Sequence, residues 1–282
     1  MKIENIGVVG AGTMGRGIVQ TCALGGLTVL MHDVSEQVLN KGLSSIEKNL
    51  NRLVQKGKLD EPSKDQALNC ISISTNLKSV SENNLIIEAA TENMETKISI
   101  FSELSQMCTD NTILASNTSS LSLTSLASFS KNPEKVIGMH FFNPVPIMKL
   151  VEIIRAMQTS NETYEAIESL TRALGKEPVA VKDSPGFVVN RMLVPMINEA
   201  VFILYEGIAT REEIDSAMKL GANHPIGPLA LADMIGIDVC LYVMNVLLEE
   251  FGDSKFRPCP LLKQMVNAGY LGRKSNKGFF DY

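Results

Sequence analysis

Apolar residues in the first half of the chain switch repeatedly between two spacings. Short runs rich in β-branched residues fall at Lys2–Val9, Thr28–Met31, Asn84–Ala89, Thr112–Ala115, Val136–His140 and Leu150–Ile154, and predict strands. Between them, Thr13–Leu24 and Glu95–Met107 carry the spacing of an amphipathic helix, as does a long segment from Ser35, a candidate N-cap, to about Gly57. Strands alternating with helices imply an α/β fold with a doubly wound, mostly parallel sheet. From about Gly186 the pattern becomes helical throughout. Val188–Tyr205, Arg211–Leu220, Pro228–Phe251 and Leu261–Ala268 are the expected helices, with breakers at Gly207, in Gly221–Pro228 and in Arg257–Pro260. The run Lys182–Gly186 marks the change, so two domains are expected, 1–183 and an all-helical 184–282.

Composition narrows the class. A chain of 282 residues, 45% hydrophobic, can bury roughly three-quarters of its unfolded surface. A net charge of −5 argues against non-specific nucleic-acid binding. No run of about 18 uncharged apolar residues occurs, so no membrane-spanning helix is expected. The N-terminal residues show no basic stretch followed by an apolar run, and neither a secretion signal nor a transit peptide is expected. The cysteines number five and form no CxxC pair, which favours a reducing cytoplasm over zinc or a disulfide framework.

The first chemical signal is Gly10-Ala11-Gly12-Thr13-Met14-Gly15, a GxGxxG turn between an expected strand and an expected helix. In that context Gly10 makes the tight turn, Gly12 lets the backbone approach a pyrophosphate, and Gly15 lets the helix pack on the strand. Asp33 follows at the end of the second strand. An acid there accepts from ribose hydroxyls and repels a 2′-phosphate, so a Rossmann-type site for NAD rather than NADP is expected.

The second signal is a histidine with a carboxylate. His140 closes the run Val136–His140, beside Phe141 and Phe142. Strand ends of an open α/β sheet face the ligand crevice. Glu152 is the one polar residue in Leu150–Ile154, and a buried carboxylate there needs a partner. An imidazole backed by a carboxylate is an effective general base. The bland alternatives are a packed histidine and an edge-strand surface glutamate. His32 and His224 read as structural.

With these residues in place the chain resembles a family. Gly10–Gly17, Gly138–Ile154, Asp183–Leu193 and Gly221–Asp238 are similar, in order, to the L-3-hydroxyacyl-CoA dehydrogenases, and within them to the bacterial 3-hydroxybutyryl-CoA dehydrogenases. The resemblance implies an NAD-dependent oxidoreductase acting on a short acyl-CoA. It implies that His140 is the catalytic base and Glu152 its orienting carboxylate. Ser119 would hydrogen-bond the substrate's 3-oxygen and lie near the nicotinamide, and Asn190 would help hold the substrate carbonyl. Glu92, Lys97 and Asn143 match positions lining the NAD site, and Lys56 falls where relatives place a lysine near the CoA phosphates. By themselves Ser119 reads rather as a cap or turn residue and Asn190 as a solvent-facing or capping helix residue. The resemblance further implies a homodimer or larger homo-oligomer through the helical domain, which is rich in Met and Leu. Two rival readings are a β-hydroxyacid dehydrogenase acting on a free acid and a non-catalytic NAD-binding protein of the same fold.

Overall fold

The computed structural model describes residues 3–282, and the chain divides into two compact units between Asp183 and Ser184. In the first unit eight strands form one sheet: β1 (Asn5–Val9), β2 (Thr28–His32), β3 (Ile71–Ser74), β4 (Leu85–Glu88), β5 (Ile113–Ser116), β6 (Val136–Phe141), β7 (Leu150–Arg155) and β8 (Glu177–Lys182). Their order is β3-β2-β1-β4-β5-β6-β7-β8. The first six run parallel; β7 is antiparallel to β6, and β8 is parallel to β7. The chain crosses over between β1 and β4. Ligands bind at the carboxyl ends of strands beside such a switch point. The strand expected from Lys2 begins at Asn5; Met1 and Lys2 lie outside the described residues.

Helices α1 (Thr13–Leu24), α2 (Glu36–Gln55), α3 (Glu61–Asn69), α4 (Leu77–Val80), α5 (Met94–Met107), α6 (Leu123–Ala127) and α7 (Asn161–Ala173) complete this unit. Local chemistry sets their starts. Ser35 caps α2 by accepting from Val38 N, and Asn93 caps α5 by accepting from Thr96 N. Along α2 the buried positions are Leu39, Gly42, Ile46 and Leu50, one stripe at helical spacing. The three apolar side chains among them join Ile6, Val8, Ile18, Val29, Met31, Leu85 and Ile87 in the main core. The sequence pattern did not announce α3, β3, α7 or β8. Helix α3 buries only Ala67, and β8 leaves Glu177, Val179, Ala180 and Lys182 exposed, so neither carries a long apolar signature.

The second unit holds α8 (Val189–Tyr205), α9 (Arg211–Gly221), α10 (Pro228–Ile235), α11 (Ile237–Phe251) and α12 (Pro260–Asn267) around its own core of Ile197, Leu229, Ile237, Met244, Leu247 and Leu262. A capping box of Thr210 and Glu213 starts α9. The buried Asp215 carboxylate accepts from Leu229 N at 2.8 Å and Ala230 N at 3.0 Å, and so caps α10. The single helix expected over Pro228–Phe251 is two. Gly236, with φ +111°, ends α10, and α11 leaves it at 96°. That φ is strained for any residue with a Cβ, so the glycine both permits and fixes the break.

Candidate active site

The glycine turn sits at the carboxyl end of β1. Gly10 has φ +107°, and its amide donates to His32 O at 2.7 Å, tying the ends of β1 and β2 together. A Cβ at Gly10 would stand 2.5 Å from Ala89 O, and one at Gly15 would overlap the Gly10 carbonyl oxygen. The fold itself therefore requires these two glycines. Gly12 is different: a Cβ there would meet nothing within 4 Å. Its bare backbone opens outward, and no side chain caps α1 at that position. Thr13 and Met14 form the first turn of this helix, whose amides and dipole favour an anion. Asp33, just past β2, accepts from Ala11 N at 3.0 Å and Ser35 N at 3.2 Å. Its carboxylate is thus fixed beside the turn. This donor and acceptor set fits a dinucleotide: the α1 amides would meet its pyrophosphate and Asp33 its ribose.

A polar cluster occupies the ends of β4 and β5. Glu88 and Lys97 are each 1% exposed, and the Lys97 ammonium donates to both Glu88 oxygens at 2.8 and 2.9 Å. Ser116 Oγ at 2.6 Å and Ala90 N at 2.7 Å also donate to Glu88. Lys97 further approaches Glu92 Oε2 at 3.5 Å. On the other Glu92 oxygen converge the Thr118 hydroxyl at 2.8 Å, Ser119 N at 2.8 Å, the Ser119 hydroxyl at 3.0 Å and the Ser120 hydroxyl at 3.2 Å. Burial alone would raise the Glu92 pKa. The Lys97 charge and the Thr118 and Ser119 donors outweigh burial and hold the carboxyl below its ordinary value. An ionised Glu92 accepts hydrogen bonds only. The Ser119 hydroxyl therefore donates to it and turns its lone pairs elsewhere.

His140 and Glu152 lie opposite each other in the β6–β7 register. His140 Nδ1 and Glu152 Oε2 are 2.7 Å apart, and the two side chains are 7% and 1% exposed. The Phe142 ring packs 4.5 Å from the imidazole, centroid to centroid. Asn117 Oδ1 accepts from Phe141 N at 2.9 Å, stitching the end of β6 to the loop that carries Ser119. The surface alternative for Glu152 gives way, because its side chain is interior.

The remaining expected residues are placed as follows. Asn143 is exposed just beyond β6, and Lys56 is exposed at the end of α2. Lys97 is enclosed, with its ammonium committed to Glu88 and Glu92, so it supports the wall of the site from within. Asn190 lies half-buried in the first turn of α8, in the second unit. His32 is buried, its Nδ1 has no hydrogen-bond partner among the described residues, and burial lowers its pKa. Sequence reasoning missed Glu88 and Ser116. The signal for Glu88 was the one that exposed Glu152: a lone carboxylate in an apolar strand, here Leu85–Glu88 with every residue buried.

Comparison with known proteins identifies the family. Residues 5–184 match the NAD-binding domain of 3-hydroxyacyl-CoA dehydrogenase, and residues 186–282 match its C-terminal domain. The chain is 52% identical over 282 residues to a probable 3-hydroxybutyryl-CoA dehydrogenase of Bacillus subtilis, covering 100% of this chain and 98% of the relative. It is 53% identical over 277 residues to the 3-hydroxybutyryl-CoA dehydrogenase of Clostridioides difficile, covering 98% and 99%. The crystal structure of (S)-3-hydroxybutyryl-CoA dehydrogenase from Ralstonia eutropha superposes with a TM-score of 0.97 at 53% identity, covering 100% and 99% of the two chains. The chain belongs to the 3-hydroxyacyl-CoA dehydrogenase family, and its first unit is that family's NAD-binding domain.

Proposed function

We propose that the chain interconverts (S)-3-hydroxybutyryl-CoA and acetoacetyl-CoA, with His140 as general base and Glu152 as its orienting carboxylate. The observation that carries this reading is the buried 2.7 Å contact between His140 Nδ1 and Glu152, with His140 near the carboxyl end of β6, the end at which open α/β sheets take their ligands. A carboxylate accepts only, so Nδ1 carries its proton toward Glu152 and Nε2 is the nitrogen that takes the proton of the 3-hydroxyl. Glu152 then stabilises the imidazolium. In the reverse direction the imidazolium returns the proton to the 3-oxygen. Bound NAD supplies the acceptor for the hydride on carbon 3. Gly10, Gly12, Thr13, Met14, Gly15, Asp33 and Asn143 are assigned to holding it, with Glu92 and Lys97 behind them. Ser119 is assigned to the substrate's 3-oxygen, its hydroxyl turning from Glu92 to donate as charge develops there, and Asn190 is assigned to the thioester carbonyl. Lys56 is assigned to the CoA phosphates. A positioned base contributes about 10²–10⁴-fold in rate.

The four-carbon substrate is assigned from the relatives named above. The free-acid alternative relies on a lysine for acid–base chemistry, and the His140–Glu152 pair favours the acyl-CoA reading. NADH oxidation followed by absorbance with acetoacetyl-CoA, beside free acetoacetate and NADPH, tests both points. Turnover with acetoacetyl-CoA and NADH is expected. Equal turnover with free acetoacetate would refute the substrate assignment.

The second unit leaves Met192 71% and Leu220 88% exposed. We assign these exposed apolar side chains to contact with a second copy of the chain. Light scattering on the purified protein is expected to give at least twice the chain mass. Five free thiols suit a reducing cytoplasm as the site of action.

A further inference from the structure

Lys176 is an interior cation held by main-chain oxygens. It lies between α7 and β8 at 6% exposure. Its ammonium donates to Val145 O at 2.5 Å and to Met148 O at 2.8 Å. No carboxylate of the described residues pairs with it, and burial lowers its pKa. An apolar side chain of similar length would fill the space without the cost of desolvating a charge. The value of the lysine therefore lies in the two carbonyls it holds.

Both carbonyls belong to the connection 142–149, which joins β6 to β7 and carries Asn143. Within this connection Ile147 N and Met148 N turn back onto Pro144 O at 2.9 and 3.0 Å. Glu177 N donates to Lys149 O at 2.8 Å. Carbonyls 145, 148 and 149 are thus all taken by the corner between α7 and β8. On its other side, Val145 is 2% exposed and presses on α1: a Cβ at Gly17 would stand 2.9 Å from the Val145 Cβ. The connection is held between the Lys176 ammonium and the helix whose N-terminus faces the dinucleotide. The His140–Glu152 pair, in contrast, is set by the β6–β7 register and by its own 2.7 Å contact, neither of which involves Lys176.

We propose that Lys176 is a positioning residue for the cofactor side of the reaction: its ammonium seats the β6–β7 connection against α1 and so sets where Asn143 stands beside NAD. This rests on the assignment of the NAD site and of His140 given above. Its effect falls on cofactor affinity rather than on the base.

Lys176→Met tests it. Two hydrogen bonds to a charged donor are lost, so the NADH dissociation constant and the KM for NAD should rise about tenfold or more. The pH profile of kcat should keep its shape, because the His140–Glu152 pair is untouched. Amide exchange across 142–149, measured without cofactor, should quicken. Lys176→Arg, which keeps the charge and the donors, should recover most of the affinity. A lysine that only supports folding would lower the melting temperature and leave NADH affinity per folded molecule unchanged. That result, with unaltered exchange across 142–149, would overturn the proposal. Should Lys176→Met not fold, Val145→Ala decides, since it keeps the clamp and removes the seat against Gly17. A severalfold weaker NADH affinity supports the proposal, and wild-type affinity overturns it. Failure of the parent assignment shows separately, as full turnover in His140→Gln, whereas the affinity and exchange measurements here do not involve turnover.

Discussion

His140 and Glu152, 12 residues apart in the chain, occupy the same register position on the antiparallel strands β6 and β7. Directly opposed side chains on neighbouring strands point to the same face. The hairpin-like return of β7 is therefore what places a carboxylate behind the imidazole. Glu152→Gln keeps the shape and removes the charge. Its amide can also donate to Nδ1 and so favour the wrong tautomer. A fall in kcat of about 10²–10⁴-fold is expected, with little change in the KM for NAD. Steady-state kinetics check this, and an unchanged kcat would remove Glu152 from the mechanism.

The glycine turn separates fold from ligand. Gly15 has no room for a Cβ, so Gly15→Ala should lose folded protein. Gly12→Ala meets open space, so its melting temperature should match the parent while NADH affinity falls. Thermal melts with and without NADH distinguish the two. A Gly12→Ala protein that binds NADH normally would show that the dinucleotide does not approach this backbone.

Lys97 is expected to act first through stability. Removing it by Lys97→Met leaves the Glu88 carboxylate, 1% exposed, without its counter-charge. Breaking a buried pair in this way costs about 3–5 kcal/mol. Urea denaturation should show that loss, and Glu88→Gln in the same chain should recover part of it. A Lys97→Met protein of parental stability would mean that the pair is not the main anchor of the β4 and β5 ends.

Much of this architecture was legible because function and fold used the same positions. The buried, parallel strands β1, β2, β4, β5 and β6 are short apolar runs, and the glycine turn follows the first of them. His140 and Glu152 could be paired because each is a polar residue in such a run. What stayed hidden lacks that contrast. Strand β8 is an exposed edge, and α3 is polar along most of its length. The break at Gly236 interrupts a pattern that is apolar on both sides, so periodicity alone ran through it. The Lys176 clamp acts on main-chain carbonyls, which carry no sequence signal.

Glu92 gives a pH signature. Its folded carboxyl lies below the ordinary value of 4.5 because Lys97 and the Thr118 and Ser119 donors outweigh the opposing effect of burial. A depressed folded pKa stabilises fully above 4.5, and this contribution is lost as pH falls through the folded value. Glu92→Gln should therefore be less stable than the parent at neutral pH, and the gap should narrow on acidification below 4.5. Chemical denaturation at several pH values checks the sign. A gap that widens toward acid would contradict it.

Replacing His140 by Gln tests the central claim most directly, when acetoacetyl-CoA turnover and NADH affinity are measured on the same folded sample. Turnover lower by about 10²–10⁴-fold with NADH affinity unchanged is the predicted result. Wild-type turnover in a folded protein that still binds NADH would contradict it.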